Sequence, residues 1–128
     1  MPRFRWRRGY GKGRCLRGIT GFLEPCLLLL LHRRPAHGYE LMEGLKEFHL
    51  DRLAVDLSTV YRTLRWMERE GLVKSEWDLE GRGPPRRVYR LTEEGDRMLS
   101  LWVADLKETG RMLQNFVEAY EQHMEEEK

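Results

Sequence analysis

Side chains able to donate hydrogen bonds to a polyanion are concentrated in one stretch near the middle of the chain. Two hydroxyl groups, at Ser58 and Thr59, are followed at helical spacing by the guanidinium groups of Arg62 and Arg65, and Tyr61 adds a phenolic hydroxyl. Such groups bind phosphate oxygens and the edges of bases. We therefore predict that a helix here enters the major groove of duplex DNA. The alternative is a basic helix face that is only solvated.

An arginine-rich turn follows the same helix and offers a second contact for a nucleic acid. The run from Gly81 to Pro85 cannot continue a strand, because proline has no amide hydrogen for the strand ladder. Three arginines lie at or beside this turn: Arg82, Arg86 and Arg87. Such a tip would bind phosphates or enter the minor groove. The alternative is a mobile, solvated hairpin tip.

Motifs for catalysis are missing from the sequence. There is no GxSxG, no HExxH and no P-loop, and the series Gly9, Gly11, Gly13 lacks the closing glycine of a dinucleotide fold. Cys15 and Cys26 have neither metal nor redox spacing, so two reduced cysteines are expected, with a single disulfide as the alternative. The four histidines show no metal spacing either. We predict no enzyme activity, no cofactor and no metal site.

Charge is distributed unevenly along the 128 residues. Seven Arg and Lys residues precede the first acid, Glu24, whereas seven acids and three bases follow from Asp105 onward. This asymmetry predicts a basic end that faces a polyanion. The longest apolar run, Leu27 to Leu31, is far shorter than the roughly 18 residues that span a bilayer, so no membrane association and a cytoplasmic location are predicted. An organelle transit peptide is the alternative for the Arg-rich start, but that segment lacks serines.

Three segments are predicted from composition and periodicity. Residues 1–18 are rich in Arg and Gly and form a disordered arm, which either grips DNA or is only a solubilising tail. Residues 19–92 carry helix and strand patterns and form the domain that contacts DNA. Residues 93–128 form one long helix that Thr92 caps.

Hydrophobic periodicity predicts three helices in the domain, over Leu23–His32, Gly38–Phe48 and Ser58–Glu70. The first is apolar on every side, so it should contact both the core and something else. Asp56 or Ser58 is expected to cap the third helix, in which Trp66 either faces outward or packs beneath the strands. The inward-facing side of that helix is expected to carry Leu57, Val60, Leu64 and Met67.

Two strands are predicted after the third helix, on either side of the turn. The first has one face made of Val73, Ser75, Trp77 and Leu79. In the second, Val88 alternates with Tyr89 and Leu91.

The long last helix carries apolar residues at alternating spacings of three and four. The repeat comprises Leu99, Trp102, Leu106, Leu113, Phe116 and Tyr120, with Thr109 and His123 as its polar members. The preceding domain is too small to cover this stripe, and leaving several large side chains in water would forfeit about 1.5–3 kcal/mol each. A homodimer is therefore predicted.

The predicted order of three helices, a hairpin and a long last helix resembles that of the PadR family of bacterial winged-helix transcriptional regulators. The likeness rests on Leu28–Leu31, on His37-Gly38-Tyr39-Glu40-Leu41, on Ser58–Leu64, on Glu68–Val73 and on Arg86–Gly95. The resemblance implies a mostly α fold with a small β-hairpin, a winged helix-turn-helix followed by a long dimerisation helix. Phe22–Pro25 and the stretch from Ser75 through Pro84 are similar to the subgroup of repressors that respond to poly-β-hydroxybutyrate.

The resemblance further implies a homodimeric repressor that binds an inverted repeat in double-stranded DNA and is released by a small-molecule or polymer effector. It implies a phosphate contact for Tyr61, a dimer contact for Leu28 on the first helix, and an effector contact at Trp102. Simple packing is the alternative for Trp102. A winged-helix module that binds proteins and not DNA is the alternative function. The dimer surface expected from both arguments comprises Leu28, Leu99, Trp102, Leu106, Leu113, Phe116 and Tyr120.

Overall fold

The computed structural model describes residues 21–50, 55–81 and 83–128. Within them the chain is mostly helical with a small antiparallel sheet and a long last helix, which confirms the predicted fold class. The elements are, in order, α1 (Leu23–Arg33), β1 (Ala36–His37), α2 (Gly38–Gly44), a 3-10 helix (Leu45–Phe48), α3 (Leu57–Arg69), β2 (Val73–Asp78), β3 (Arg86–Leu91) and α4 (Glu93–Glu126).

The sheet has three strands in the order β1-β3-β2, so β3 lies in the centre. The hairpin of β2 and β3, called the wing below, is paired from Val73↔Leu91 to Asp78↔Arg86. The sequence predicted two strands and missed β1, which has only two residues and therefore shows no alternation. The predicted place of Leu79 in the first strand was wrong, because β2 ends one residue earlier and Leu79 is exposed.

Helix boundaries follow from local capping chemistry. The Asp56 carboxylate accepts hydrogen bonds from the backbone amide and the hydroxyl of Thr59, both at 2.8 Å, so Asp56 is the cap of α3. These bonds lower the pKa of Asp56, the backbone amide contributing most. The second predicted helix tightens into the 3-10 helix and stops at His49, which adopts a left-handed conformation with φ of 62°.

The core is built around α1, whose leucines pack against α3, the sheet and the first turns of α4. The predicted inward face of α3 is confirmed for Val60, Leu64 and Met67, which are fully buried. Cys26 is a buried free thiol, and its burial raises the pKa to about 12. Cys15 lies outside the described residues.

Trp102 is fully buried, and its indole Nε1 donates a hydrogen bond of 2.9 Å to Glu24 on α1. Leu28 and Leu99 are also buried within the single chain, and Leu106 packs partly against the same core. Leu28, Leu99 and Trp102 are thus covered by their own chain, whereas Leu106 is only partly buried, and the dimer surface stays a prediction. In the single chain Trp102 packs against α1, as its packing alternative expects, and the effector contact stays a prediction.

The start of α4 is fixed to the turn between α3 and β2. The Thr92 hydroxyl accepts a hydrogen bond from the Gly95 amide at 3.0 Å and donates one of 2.6 Å to the Gly71 carbonyl. The Thr92 amide donates to the Leu72 carbonyl at 3.1 Å. The predicted cap of α4 by Thr92 is thus confirmed, and it also ties the long helix to the wing. None of the helices in the described part of the chain is both long and apolar enough to cross a bilayer.

Candidate nucleic-acid interface

The exposed face of α3 carries the side chains that the sequence singled out. Ser58, Arg62 and Arg65 are exposed, and Tyr61 is half-buried beside them. Thr59 is half-buried too, and its hydroxyl already donates to Asp56, so it serves the cap of the helix. This face therefore offers one free hydroxyl and two guanidinium groups to an approaching ligand.

A cleft of about 450 Å³ lies between α3 and the wing, and basic residues from both elements line it. It is lined by Tyr61, Arg65, Glu68, Trp77, Pro85, Arg86, Arg87 and Tyr89. Arg65 from the helix and Arg86 and Arg87 from the wing thus face one space, although 21 positions separate Arg65 from Arg86 in the sequence. The geometry joins the two contacts that were predicted separately into a single surface.

Three guanidinium groups on this surface make no close contact with a carboxylate in the part of the chain that the structure describes. Arg62, Arg65 and Arg86 make neither a hydrogen bond nor an ion pair with another residue among those the structure describes. Four other arginines each pair with a carboxylate: Arg33 with Glu47, Arg90 with Glu76, Arg97 with Glu94 and Arg111 with Glu108. Unpaired cations gathered on one side of a protein attract a polyanion.

Arg87 is held by two neighbours on the wing. Its guanidinium lies over the Trp77 ring, 4.8 Å from the ring centre, and its Nε donates to the Ser75 hydroxyl at 2.8 Å. Ser75 in turn lies 2.9 and 3.0 Å from the two carboxylate oxygens of Glu68 on α3. Sequence reasoning assigned no chemical role to Glu68 or Ser75, because contacts between separate elements leave no local pattern.

Tyr61 is placed by its contact with the start of α2. A Cβ atom added to Gly38 would lie 2.4 Å from Cε1 of the Tyr61 ring, so glycine is required there for the ring to pack. The phenol then lines the cleft beside Arg65. At the floor of the cleft, burial raises the pKa of Tyr89, and the nearby Glu68 carboxylate raises it further.

The wing is also fixed from its other side by His37. This residue forms a capping box with Glu40 at the start of α2, where its backbone amide donates to the Glu40 carboxylate at 2.9 Å. Its Nε2 lies 3.2 Å from the Asp78 carboxylate at the end of β2. Hydrogen bonds from the Glu80 amide and then from His37 lower the pKa of Asp78.

Other predicted contacts have mixed outcomes. Trp66 is half-buried and packs against the core, in agreement with the packing alternative. Arg82 and the basic arm of residues 1–18 lie outside the described residues. The four His residues take part in no grouping of three potential metal ligands within the described ranges.

Comparison with solved structures places the fold among transcription factors. A PadR-like transcription factor from Bacteroides fragilis is 35% identical, covering 76% of this chain and 91% of that one, with a TM-score of 0.63. A transcriptional regulator from Clostridium thermocellum is 26% identical, covering 77% and 93%, with a TM-score of 0.67. No curated protein sequence gives a significant match.

One similar structure contains nucleic acid. PadR of Bacillus subtilis, solved in complex with operator DNA, is 25% identical over 63% of this chain, with a TM-score of 0.56. The match spans 46% of that protein, so the likeness covers about half of its length. Residues 27–101 of this chain match the sequence profile of the transcriptional regulator PadR-like family. The profile covers more than half of the 128 residues and includes α3 and the whole wing. The chain therefore belongs to the PadR-like family of transcriptional regulators, which are not enzymes.

Proposed function

We propose that this protein is a sequence-specific DNA-binding regulator that inserts α3 into the major groove and lays the wing on the adjacent backbone. The observation that carries the proposal is the set of unpaired guanidinium groups of Arg62, Arg65 and Arg86 on the surface shared by α3 and the wing. The relative from Bacillus subtilis, which was solved with operator DNA, supports the same use of the fold.

The size of α3 suits this role. Its 13 residues extend for roughly 20 Å at 1.5 Å per residue, and a helix fits the major groove, which is about 12 Å wide. Ser58 and Arg62 lie on the exposed face and would contact base edges. Arg65, Tyr61 and Arg86 lie towards the wing and would bind phosphates.

A homodimer completes the proposal, with a dimer surface that begins further along α4 than the sequence predicted. Every residue from Arg111 to the end of the chain is exposed in the single chain. The large apolar side chains in this segment are Met112, Leu113, Phe116, Val117, Tyr120 and Met124. A second copy would cover them, because each such side chain gains about 1.5–3 kcal/mol when it is buried.

Two α3 helices in such a dimer would read an inverted repeat whose half-sites lie about 34 Å apart, one turn of the double helix. Repression then follows if the operator overlaps a promoter. An effector bound between the subunits would weaken binding by changing the spacing of the two α3 helices. We assign no residue to such an effector, and the likeness to the polymer-responsive subgroup stays a prediction.

Replacing Arg62 with alanine tests the reading surface. Arg62→Ala is expected to weaken binding by about 1–3 kcal/mol, because it removes an exposed guanidinium from the groove-facing side. The probe is a duplex selected by the wild-type protein from a random-sequence pool, and fluorescence anisotropy measures the affinity.

Arg97→Ala is the matched control for this experiment. Arg97 is an exposed arginine on the second turn of α4, already paired with Glu94, so its loss should leave affinity nearly unchanged. Equal affinity of Arg62→Ala and wild type would remove Arg62 from the reading surface. If the wild type selects no duplex at low salt, the chain is a protein-interaction module and the proposal is wrong.

A further inference from the structure

We infer that Glu68 is a positioning residue for DNA recognition, which fixes the wing relative to α3 through Ser75 and Arg87. The inference rests on the proposed function, since it concerns how the two parts of the DNA-binding surface keep their relative geometry. It assigns a role to a carboxylate that stands among the cations of the cleft.

The three side chains form a hydrogen-bonded chain with a single direction. A hydroxyl has one hydrogen to donate, and a carboxylate can only accept. The Ser75 hydroxyl therefore donates to Glu68, at 2.9 and 3.0 Å from its two oxygens, and accepts from Arg87 Nε at 2.8 Å. Because Glu68 belongs to α3, Ser75 to β2 and Arg87 to β3, the chain connects all three elements of the reading surface.

The hydrogen bonds from Arg87 through Ser75 to Glu68 can set the direction of the whole wing. Ser75 pairs with Tyr89, and Trp77 pairs with Arg87, two residues nearer the tip of the hairpin. Arg87 also lies over the Trp77 ring, so both strands of the wing are engaged at this level. Fixing Ser75 to α3 therefore limits the swing of the paired hairpin about its base, where Val73 and Leu91 are opposite each other.

The negative charge of Glu68 distinguishes an electrostatic effect on DNA binding from a positioning effect. It lines the same cleft as Arg65, Arg86 and Arg87, where the proposed phosphates would lie. A carboxylate repels phosphate, so electrostatics alone predicts that removing Glu68 strengthens DNA binding. If Glu68 orients the wing, its removal weakens binding, because the wing arginines lose their fixed position relative to α3. The two explanations predict opposite signs.

The test compares variants that separate charge from hydrogen bonding. Glu68→Ala removes both the charge and the acceptor, whereas Glu68→Gln removes the charge but keeps an oxygen that accepts from Ser75. Ser75→Ala removes the hydroxyl that links Arg87 to Glu68 without changing any charge. Glu80→Gln is the control, because it removes one negative charge from an exposed residue of the same hairpin.

Anisotropy titrations use the duplex selected by the wild-type protein and a scrambled duplex of equal length. Glu68→Ala and Ser75→Ala should weaken binding to the selected duplex on the order of tenfold, with a smaller loss on the scrambled one. Glu68→Gln should lose no more than about threefold in affinity relative to wild type. Glu80→Gln should bind slightly more tightly than wild type. Thermal unfolding and sedimentation check that each variant stays folded and keeps the wild-type oligomeric state.

The inference is overturned if Glu68→Ala, still folded, binds the selected duplex as tightly as wild type or more tightly. Equal losses in Glu68→Ala and Glu68→Gln would also overturn it, because the hydrogen bond would then be irrelevant. A wild-type protein that binds no duplex refutes the proposed function instead, so the two failures are distinguishable.

Discussion

Gly95→Ala is expected to destabilise the protein by about 3 kcal/mol, the upper end of the usual cost of inserting an atom into a packed site. A Cβ at this position would lie 2.1 Å from the carbonyl oxygen of Leu72 and 2.6 Å from Cδ1 of Leu91. The carbonyl belongs to the backbone and accepts a hydrogen bond from the Thr92 amide, so it cannot yield without breaking the junction between the wing and α4. Thermal and urea unfolding of the variant measure the effect.

Gly110→Ala, in the same helix, is expected to stabilise the protein. A Cβ there would meet nothing within 4 Å, and alanine is a better helix former than glycine by about 1 kcal/mol. The same substitution should therefore stabilise the protein at one site and destabilise it at the other. A Gly95→Ala protein as stable as wild type would show that α4 can shift at its start without cost, contrary to the packing described above.

Phe116→Asp is expected to convert the proposed dimer to monomers. Phe116 is 71% exposed in the single chain and the most exposed large apolar residue among those described on α4. Each buried phenylalanine contributes about 1.5–3 kcal/mol, so losing one from each subunit weakens a dimer by roughly 3–6 kcal/mol before the added charges are counted. Analytical ultracentrifugation measures the oligomeric state. Affinity for an inverted repeat should fall together with the dimer, because a monomer occupies one half-site only.

Val103→Asp is the control for the dimer surface. Val103 is also exposed on α4, but it lies nine residues, roughly 13 Å, before Met112, the first large apolar residue of the proposed dimer surface. This variant should remain dimeric. A Phe116→Asp protein that stays dimeric with a normal unfolding temperature would place the interface elsewhere on the molecule.

The parts of the structure that depend on local chemistry could be predicted from the sequence. The cap at Thr92 and the inward face of Val60, Leu64 and Met67 depend on residues within one or two turns of helix, and they were predicted correctly. The order of helices and hairpin was predicted in the same way, because α3 and α4 carry helical periodicity and Gly71, Gly81 and Pro84 mark the turns on either side of β2.

Other features depend on which elements meet in space, and the sequence could not show them. The seven-residue repeat marks Leu99, Trp102 and Phe116 alike, yet α1 covers only the beginning of α4. Trp102 is therefore a core residue and Phe116 is exposed, although both occupy the same kind of position in the repeat. The chain from Glu68 through Ser75 to Arg87 likewise joins three elements and has no periodic signature.

The salt dependence of duplex binding tests the central claim most directly, that the surface of α3 and the wing binds the DNA backbone. If each dimer neutralises about 6–10 phosphates, the logarithm of the binding constant should fall linearly with the logarithm of salt concentration, with a slope between about −5 and −9. A slope near zero, or no binding to the selected duplex at low salt, would contradict the account.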